Sequence, residues 1–393
     1  MSTPSPQMNP IVNALAAEYD HYIEAQMQSR YVPGAAVCII KDDKIIHIKG
    51  YGIKDVNTMD SIGIHTVFRL GSVSKSIAAT MAGILVEDSL IHWNSTVRSY
   101  LPEFRLKSES SANSMMIKHI LSHTTGLIRH SFTNYIEDGK PLDEIIPALS
   151  GVDLIGPPGT VYSYQNLAYG LIEPIVESVT GMDYETALTE KLFKPMNMKN
   201  SSASYEAITH NPDVAYPHYF HRGQLRKSGI SRKYYNAAPA GGINASIWDM
   251  ANFMISVTGH KPWIIEQTTL DELYAPKIHT NIKYNYFGGW PKMRRSYYGL
   301  GFRILEYDNK KVVYHGGYVN GYRAGMAFLP DENIGICILT NYSGNLANRG
   351  IRDFIDMYIK YEDNIRDFEN APSVNLLRPK LMPEGLLHSA PPL

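Results

Sequence analysis

Period-two apolar patterning sits at the two ends of this 393-residue chain and is scarce between them, which restricts the possible folds more than any other feature. Near the start, Ala35 to Ile40 and Ile45 to Lys49 flank the polar turn Lys41-Asp42-Asp43-Lys44, the pattern of an antiparallel hairpin. Near the end, Gly299–Leu305, Val312–His315, Tyr322–Leu329 and Ile334–Leu339 are four further strand candidates, the last two joined by the turn Pro330–Asn333. Between about 89 and 285, short helical patterns alternate with loops. The economical solution is α+β: one antiparallel sheet built from both chain ends and flanked by helices, with a mainly helical domain inserted. The expected division is 10–88 with 290–362 for the sheet domain and 89–289 for the helical domain. Residues 363–393, rich in proline, read as an extended tail. Amphipathic spacing marks a helix over 11–29, a second over Tyr162–Val176, and a closing helix around Ile351, Phe354 and Tyr358.

Charge excludes one class of partner. A net charge of -1 with no basic block offers nothing to a nucleic acid. No apolar run approaches the ~18 residues of a membrane span, and Met1–Pro10 does not read as a signal peptide. The compartment is periplasmic or secreted if a leader has been removed, and cytoplasmic otherwise. Cys38 and Cys337 both lie in apolar strand-like runs and read as buried thiols. His119 and His123 are four apart, but no acidic partner joins them at ligand spacing, so neither a metal nor a cofactor is expected.

Chemistry concentrates in Phe68-Arg69-Leu70-Gly71-Ser72-Val73-Ser74-Lys75, the one Ser-x-x-Lys in the chain, followed by the apolar run Ile77–Val86. Ser72 falls at or beside the first turn of a buried helix, with Lys75 one turn on and on the same face. A hydroxyl there lies near the positive end of the helix dipole and near unpaired N–H groups. A desolvated lysine loses proton affinity and can act as a base. The commoner meaning of a serine at this position is a helix cap, so the octapeptide needs support from elsewhere in the chain.

That support is a resemblance. The octapeptide looks like the first motif of class C β-lactamases and their relatives, the penicillin-recognising serine hydrolases, which include D,D-peptidases, D-aminopeptidases and esterases. Val32–Ala36, Gly50-Tyr51-Gly52, Leu121–Leu127 and Pro239–Gly242 resemble further landmarks, in order, over roughly residues 30–345. The family's Tyr-x-Asn motif is matched by Tyr164-Gln165-Asn166 after a Pro-Gly-Thr turn; other matches begin at Tyr234, Tyr307 and Tyr318 without that setting. The third motif, normally Lys-Thr-Gly on a strand facing the nucleophile, has two candidates. Lys227-Ser228-Gly229 matches by letter in a polar stretch without a strand pattern. His315-Gly316-Gly317 ends an apolar strand, where the family carries this motif, and is the one chosen.

The resemblance implies a β-lactamase/transpeptidase-like fold and an acyl-enzyme on Ser72. Lys75 and Tyr164 then move the proton, Asn166 orients the substrate amide, and the N–H groups of Ser72 and Tyr318 hold the oxyanion. His315 implies a weaker, pH-dependent positive charge in place of lysine. Esters, amides and D-residue peptides therefore rank before β-lactams, and the partner is a small-molecule or peptide acyl substrate. A β-lactamase proper, or a penicillin-binding sensor that acylates without turnover, is the alternative. The resemblance also sets Cys38 and Cys337 on neighbouring strands, as free thiols.

Overall fold

In a computed structural model, which describes residues 9–281, 287 and 289–370, twelve strands occur among the described residues. They are β1 (Gly34–Lys41), β2 (Lys44–Gly52), β3 (Val67–Arg69), β4 (His218–His221), β5 (Gln224–Lys227), β6 (Asn244–Ser246), β7 (Ile278–His279), β8 (Met293–Tyr298), β9 (Arg303–Tyr307), β10 (Lys310–Val319), β11 (Tyr322–Leu329) and β12 (Ile334–Thr340). Eight form one antiparallel sheet in the order β2-β1-β12-β11-β10-β9-β8-β7. The two chain ends meet inside it, one strand in from the β2 edge, where β1 and β12 pair from Ala35 with Thr340 to Lys41 with Ile334. The α+β sheet built from both ends is therefore present.

Helices cover both faces. Ala35, Val37 and Ile39 share a core with Val12, Leu15 and Tyr19 of helix Pro10–Arg30 and with Ile351, Phe354 and Ile355 of helix Leu346–Asn370. Ala36, Cys38 and Ile40 point the other way, into a core with Ile77, Met81 and Leu85 of helix Ser74–Glu87. A strand buried on both faces needs apolar side chains at every position, which is why β1 and β12 read as unbroken apolar runs. Cys38 stands opposite Cys337 in that register, and both are free and buried.

Four details differ from the sequence reading. The tail does not begin at 363, because the closing helix runs on to Asn370; Ile365, buried in the core it shares with Val12, anchors this extension. Residues 371–393 of the expected tail lie outside the described residues. The helix expected over Tyr162–Val176 begins only at Asn166. Ser163 and Gln165 donate instead to the carbonyl and Nδ1 of His123, at 2.8 and 3.2 Å, and hold Tyr162–Gln165 extended. The strand expected from Gly299 begins at Arg303, since Gly301 donates to the Leu121 carbonyl and accepts from Ser76. Lys227 does lie on a strand, β5 of a small exposed hairpin, where it is bound to Asp55. β8 escaped the sequence reading because Arg294 and Arg295 interrupt its apolar alternation, and β7 because two residues are too short to show a period.

Candidate active site

The buried helix Ser74–Glu87 is entered through a 3-10 turn, Gly71–Val73. Every residue from Ser74 to Leu85 is buried, whereas Ser72 is only partly covered and lines a cavity of about 360 Å³. The nucleophile candidate is thus the point at which an otherwise sealed segment meets solvent.

Lys75 follows one turn later and is fully buried. Its Nζ lies 2.6 Å from the Ala240 carbonyl, 2.9 Å from Asn166 Oδ1 and 3.4 Å from Ser72 Oγ. None of these partners is a carboxylate. Burial pushes the ammonium well below its usual range, and the nearby Arg303 guanidinium adds to the shift. A neutral amine has two N–H groups and one lone pair. The two shorter contacts, both to carbonyl-type oxygens, take the N–H groups; the lone pair then faces the serine hydroxyl. That arrangement can accept a proton from Ser72.

Tyr164, on the extended segment, lines the same cavity as Ser72 and lies near enough to it for the hydroxyl to influence the phenol. Burial raises its phenol above the ordinary value, against the lowering effect of Arg303 and of the Ser72 hydroxyl. The phenol consequently stays protonated where the lysine is already neutral, so the two groups are set for different halves of a proton relay. Lys75 Nζ also sits 4.8 Å above the Tyr164 ring. His123 backs that ring with centroids 4.1 Å apart, and Gln165 caps the following helix through Leu167 N–H. Asn166 turns Oδ1 to Lys75 and Nδ2 to the Tyr234 hydroxyl at 3.5 Å.

Two glycines bring the C-terminal sheet against this turn. A Cβ on Gly317 would lie 2.0 Å from the Leu70 carbonyl oxygen and 3.0 Å from Ser72 N. Gly71 adopts φ +51° with Tyr318 backbone atoms at 2.8 Å from where its Cβ would be. Only glycine permits so close an approach of two backbones. The segment Gly317–Tyr318 therefore lies alongside Leu70–Ser72, with Gly316 and Gly317 in the cavity wall and Tyr318 at its exposed rim.

His315 requires a correction. It is fully buried and absent from the cavity lining among the described residues. Its Nδ1 faces the Gly316 carbonyl at 3.0 Å, which can only accept, and its Nε2 lies 2.9 Å from Tyr298 OH. The ring is thereby a neutral imidazole donating from Nδ1 and accepting the Tyr298 hydroxyl. Burial, Arg303 and Lys75 together hold it well below its usual range. The pH-dependent charge expected of this position is not there. Positive charge comes instead from Arg303 on β9, Arg129 and Arg323, which line the cavity. Arg303 Nη1 meets Tyr162 OH at 3.3 Å, and its guanidinium lies 5.6 Å from the Tyr164 ring centroid. No Asp or Glu is among the described lining residues. Nor do the described residues gather three His, Cys, Asp or Glu side chains fit to hold a metal, or contain a helix long and apolar enough to cross a membrane.

The sequence reading did not find the arginines, which carry no motif, or the Ala240 carbonyl, whose Pro239–Gly242 landmark was noted without a role. His123 was weighed only as a metal ligand; its position inside Leu121–Leu127 was the available signal.

The protein-family model described as Beta-lactamase matches residues 19–356. Among curated proteins, the chain is 25% identical over 352 residues to unguisins hydrolase ungD' of Aspergillus campestris, covering 86% of this chain. It is 23% identical over 345 residues to protein flp of Staphylococcus aureus strain MRSA252, covering 84%. The chain spans 64% of the length of each of these relatives. Among solved structures, the octameric penicillin-binding protein homologue from Pyrococcus abyssi superposes with TM-score 0.74 at 23% identity, over 88% of this chain and 77% of that one. EstCE1, a hydrolase with promiscuous acyltransferase activity, gives 0.73 at 18% identity, over 88% and 99%. At these identities the structural likeness supports the fold.

Proposed function

Because the chain belongs to the Beta-lactamase family, we propose that it is a serine hydrolase working through a Ser72 acyl-enzyme. The observation that carries this reading is the environment of Lys75: a buried amine, 3.4 Å from Ser72 Oγ, with carbonyl-type oxygens and no carboxylate as its other hydrogen-bond partners. Lys75 takes the Ser72 proton as Oγ attacks a carbonyl carbon. Tyr164, protonated and beside Ser72, passes its proton to the leaving group and recovers one from the Lys75 ammonium, which returns Lys75 to the neutral amine before water attacks the acyl-enzyme. The N–H groups of Ser72 and Tyr318 receive the developing oxyanion.

Three cavity arginines and no acidic lining residue favour an acyl substrate that carries a negative charge. Relatives named as a hydrolase and as a penicillin-binding protein homologue agree with the general class. Esters, amides and D-residue peptides that carry a carboxylate are the candidates, and with three arginines in the cavity β-lactams, which carry one too, stand beside them.

The test is to label native protein with a fluorophosphonate and map the adduct. One phosphonyl equivalent on the peptide containing Phe68–Lys75 is expected; an adduct elsewhere, or none, rejects Ser72 as nucleophile. A parallel panel of a nitrophenyl ester with and without a distal carboxylate, a chromogenic cephalosporin and a D-alanyl peptide reads the substrate. One acyl equivalent without steady turnover across the panel would instead mark a sensor.

The pH profile assigns the base. Lys75 works only when neutral, so activity is present above its pKa and is lost as pH falls through it. Arg303 lowers that pKa. In Arg303→Gln the lysine holds its proton to higher pH, and the acid limb of kcat/KM is expected to move upward. A limb that stays in place removes Lys75, or its coupling to Arg303, from the mechanism.

A further inference from the structure

Away from Ser72, a cavity of about 600 Å³ opens between the loop Leu101–Arg105, the segment Leu142–Ser150 and the helix Ile172–Thr180. Its size falls within the range of small-ligand sites, roughly 300–1,000 Å³. Leu101, Phe104, Leu142 and Ile146 supply apolar wall. Its ionisable lining is mostly acidic: Glu103, Asp143, Glu173 and Glu177, with Arg105 the one basic residue among those described. Arg105 is already engaged with the carbonyls of Pro102 and Phe104 and with Glu103.

Glu173 differs from the other three acids. It accepts the Ala238 N–H at 3.2 Å, and burial, reinforced by Glu177, pushes its carboxyl up to about 8. An apolar wall that disfavours an anion, beside a second acid, leaves an ionised Glu173 short of a cation. An ammonium entering the cavity would supply one, whereas an anionic ligand would meet Asp143 and Glu177 with Arg105 already engaged.

We propose that this cavity binds an amphiphilic amine, with its ammonium group on Glu173 and its aromatic or alkyl body against Leu101, Phe104, Leu142 and Ile146. The proposal stands apart from the role of Ser72.

Calorimetric titration with tryptamine tests it, run at about pH 9, where Glu173 is ionised and the amine is still largely cationic. Tryptophol, which replaces the ammonium with a hydroxyl, and indole-3-propionate serve as comparators. Tryptamine is expected to bind most tightly of the three. Glu173→Gln keeps the oxygen that accepts from Ala238 and adds no charge, so the fold should hold. It should cost tryptamine about tenfold or more in affinity, the worth of a charge-assisted hydrogen bond, and leave tryptophol unchanged. Ile146→Arg, which brings a guanidinium into the cavity, should abolish tryptamine binding. The proposal is overturned if tryptamine does not bind, if tryptophol binds as well, or if Glu173→Gln has no effect. It is likewise overturned if capping Ser72 with the fluorophosphonate displaces tryptamine, since that would locate the amine in the other cavity.

Discussion

Lys75→Met is expected to slow acylation of Ser72 by about 10²–10⁴-fold, the usual loss when a positioned base is removed. Methionine fills much of the same buried volume but has no lone pair of comparable basicity and no N–H. The loss has two components, because the Ala240 carbonyl and Asn166 Oδ1 also forfeit their donor. Lys75→Arg separates them. A guanidinium retains hydrogen-bond donors, yet stays protonated in the accessible pH range and offers no lone pair to the serine. If Lys75 only braced Asn166 and Ala240, arginine would restore most of the rate. If it is the base, arginine should be as slow as methionine. Single-turnover release of nitrophenol, read alongside thermal melting, distinguishes the cases; a rate near that of native protein in either variant rejects the assignment.

Gly317→Ala is expected to lower the same rate by about 10²–10³-fold, the scale of a lost oxyanion donor. The new methyl would sit 2.0 Å from the Leu70 carbonyl oxygen, a backbone atom with no freedom to swing aside. β10 must therefore withdraw from the turn, taking Tyr318 N–H away from Ser72. Overpacking of this kind also destabilises, by about 1–3 kcal/mol. Gly151→Ala provides the control, since nothing lies within 4 Å of its added Cβ. A Gly317→Ala protein that melts earlier but acylates at the native rate would confine Gly317 to a structural role.

How much of this was legible beforehand depended on whether the information is local. The Ser72–Lys75 pair sits within one turn, so its spacing alone sets both side chains on one face. Strands β1 and β12 were readable because burial on two faces leaves almost only apolar residues. The Ser246 to Asp249 capping box is likewise local, two residues three apart joined by bonds of 3.0 and 3.2 Å. By contrast, Arg303 acquires meaning only when β9 docks beneath Tyr162 and Tyr164, which are distant in sequence. The charge state of His315 turns on the hydroxyl of Tyr298, on a strand that polar residues disguised. Ala240 contributes a backbone oxygen, which any residue carries. Partners supplied by another element, or by the main chain, leave no mark in local spacing.

The pairing of β1 with β12 has a consequence for how the protein is made. Contacts such as Ala35 with Thr340 close almost the whole chain into a loop, and topologies dominated by such contacts fold slowly. On a ribosome, Ser72 and Lys75 emerge long before Gly317 and Tyr318. Until the last strands are synthesised, the sheet cannot close and Gly317–Tyr318 cannot lie alongside Ser72. On the proposed mechanism, a nascent chain would carry Ser72 without its oxyanion partner, and the order of synthesis would delay reactivity until the fold is complete.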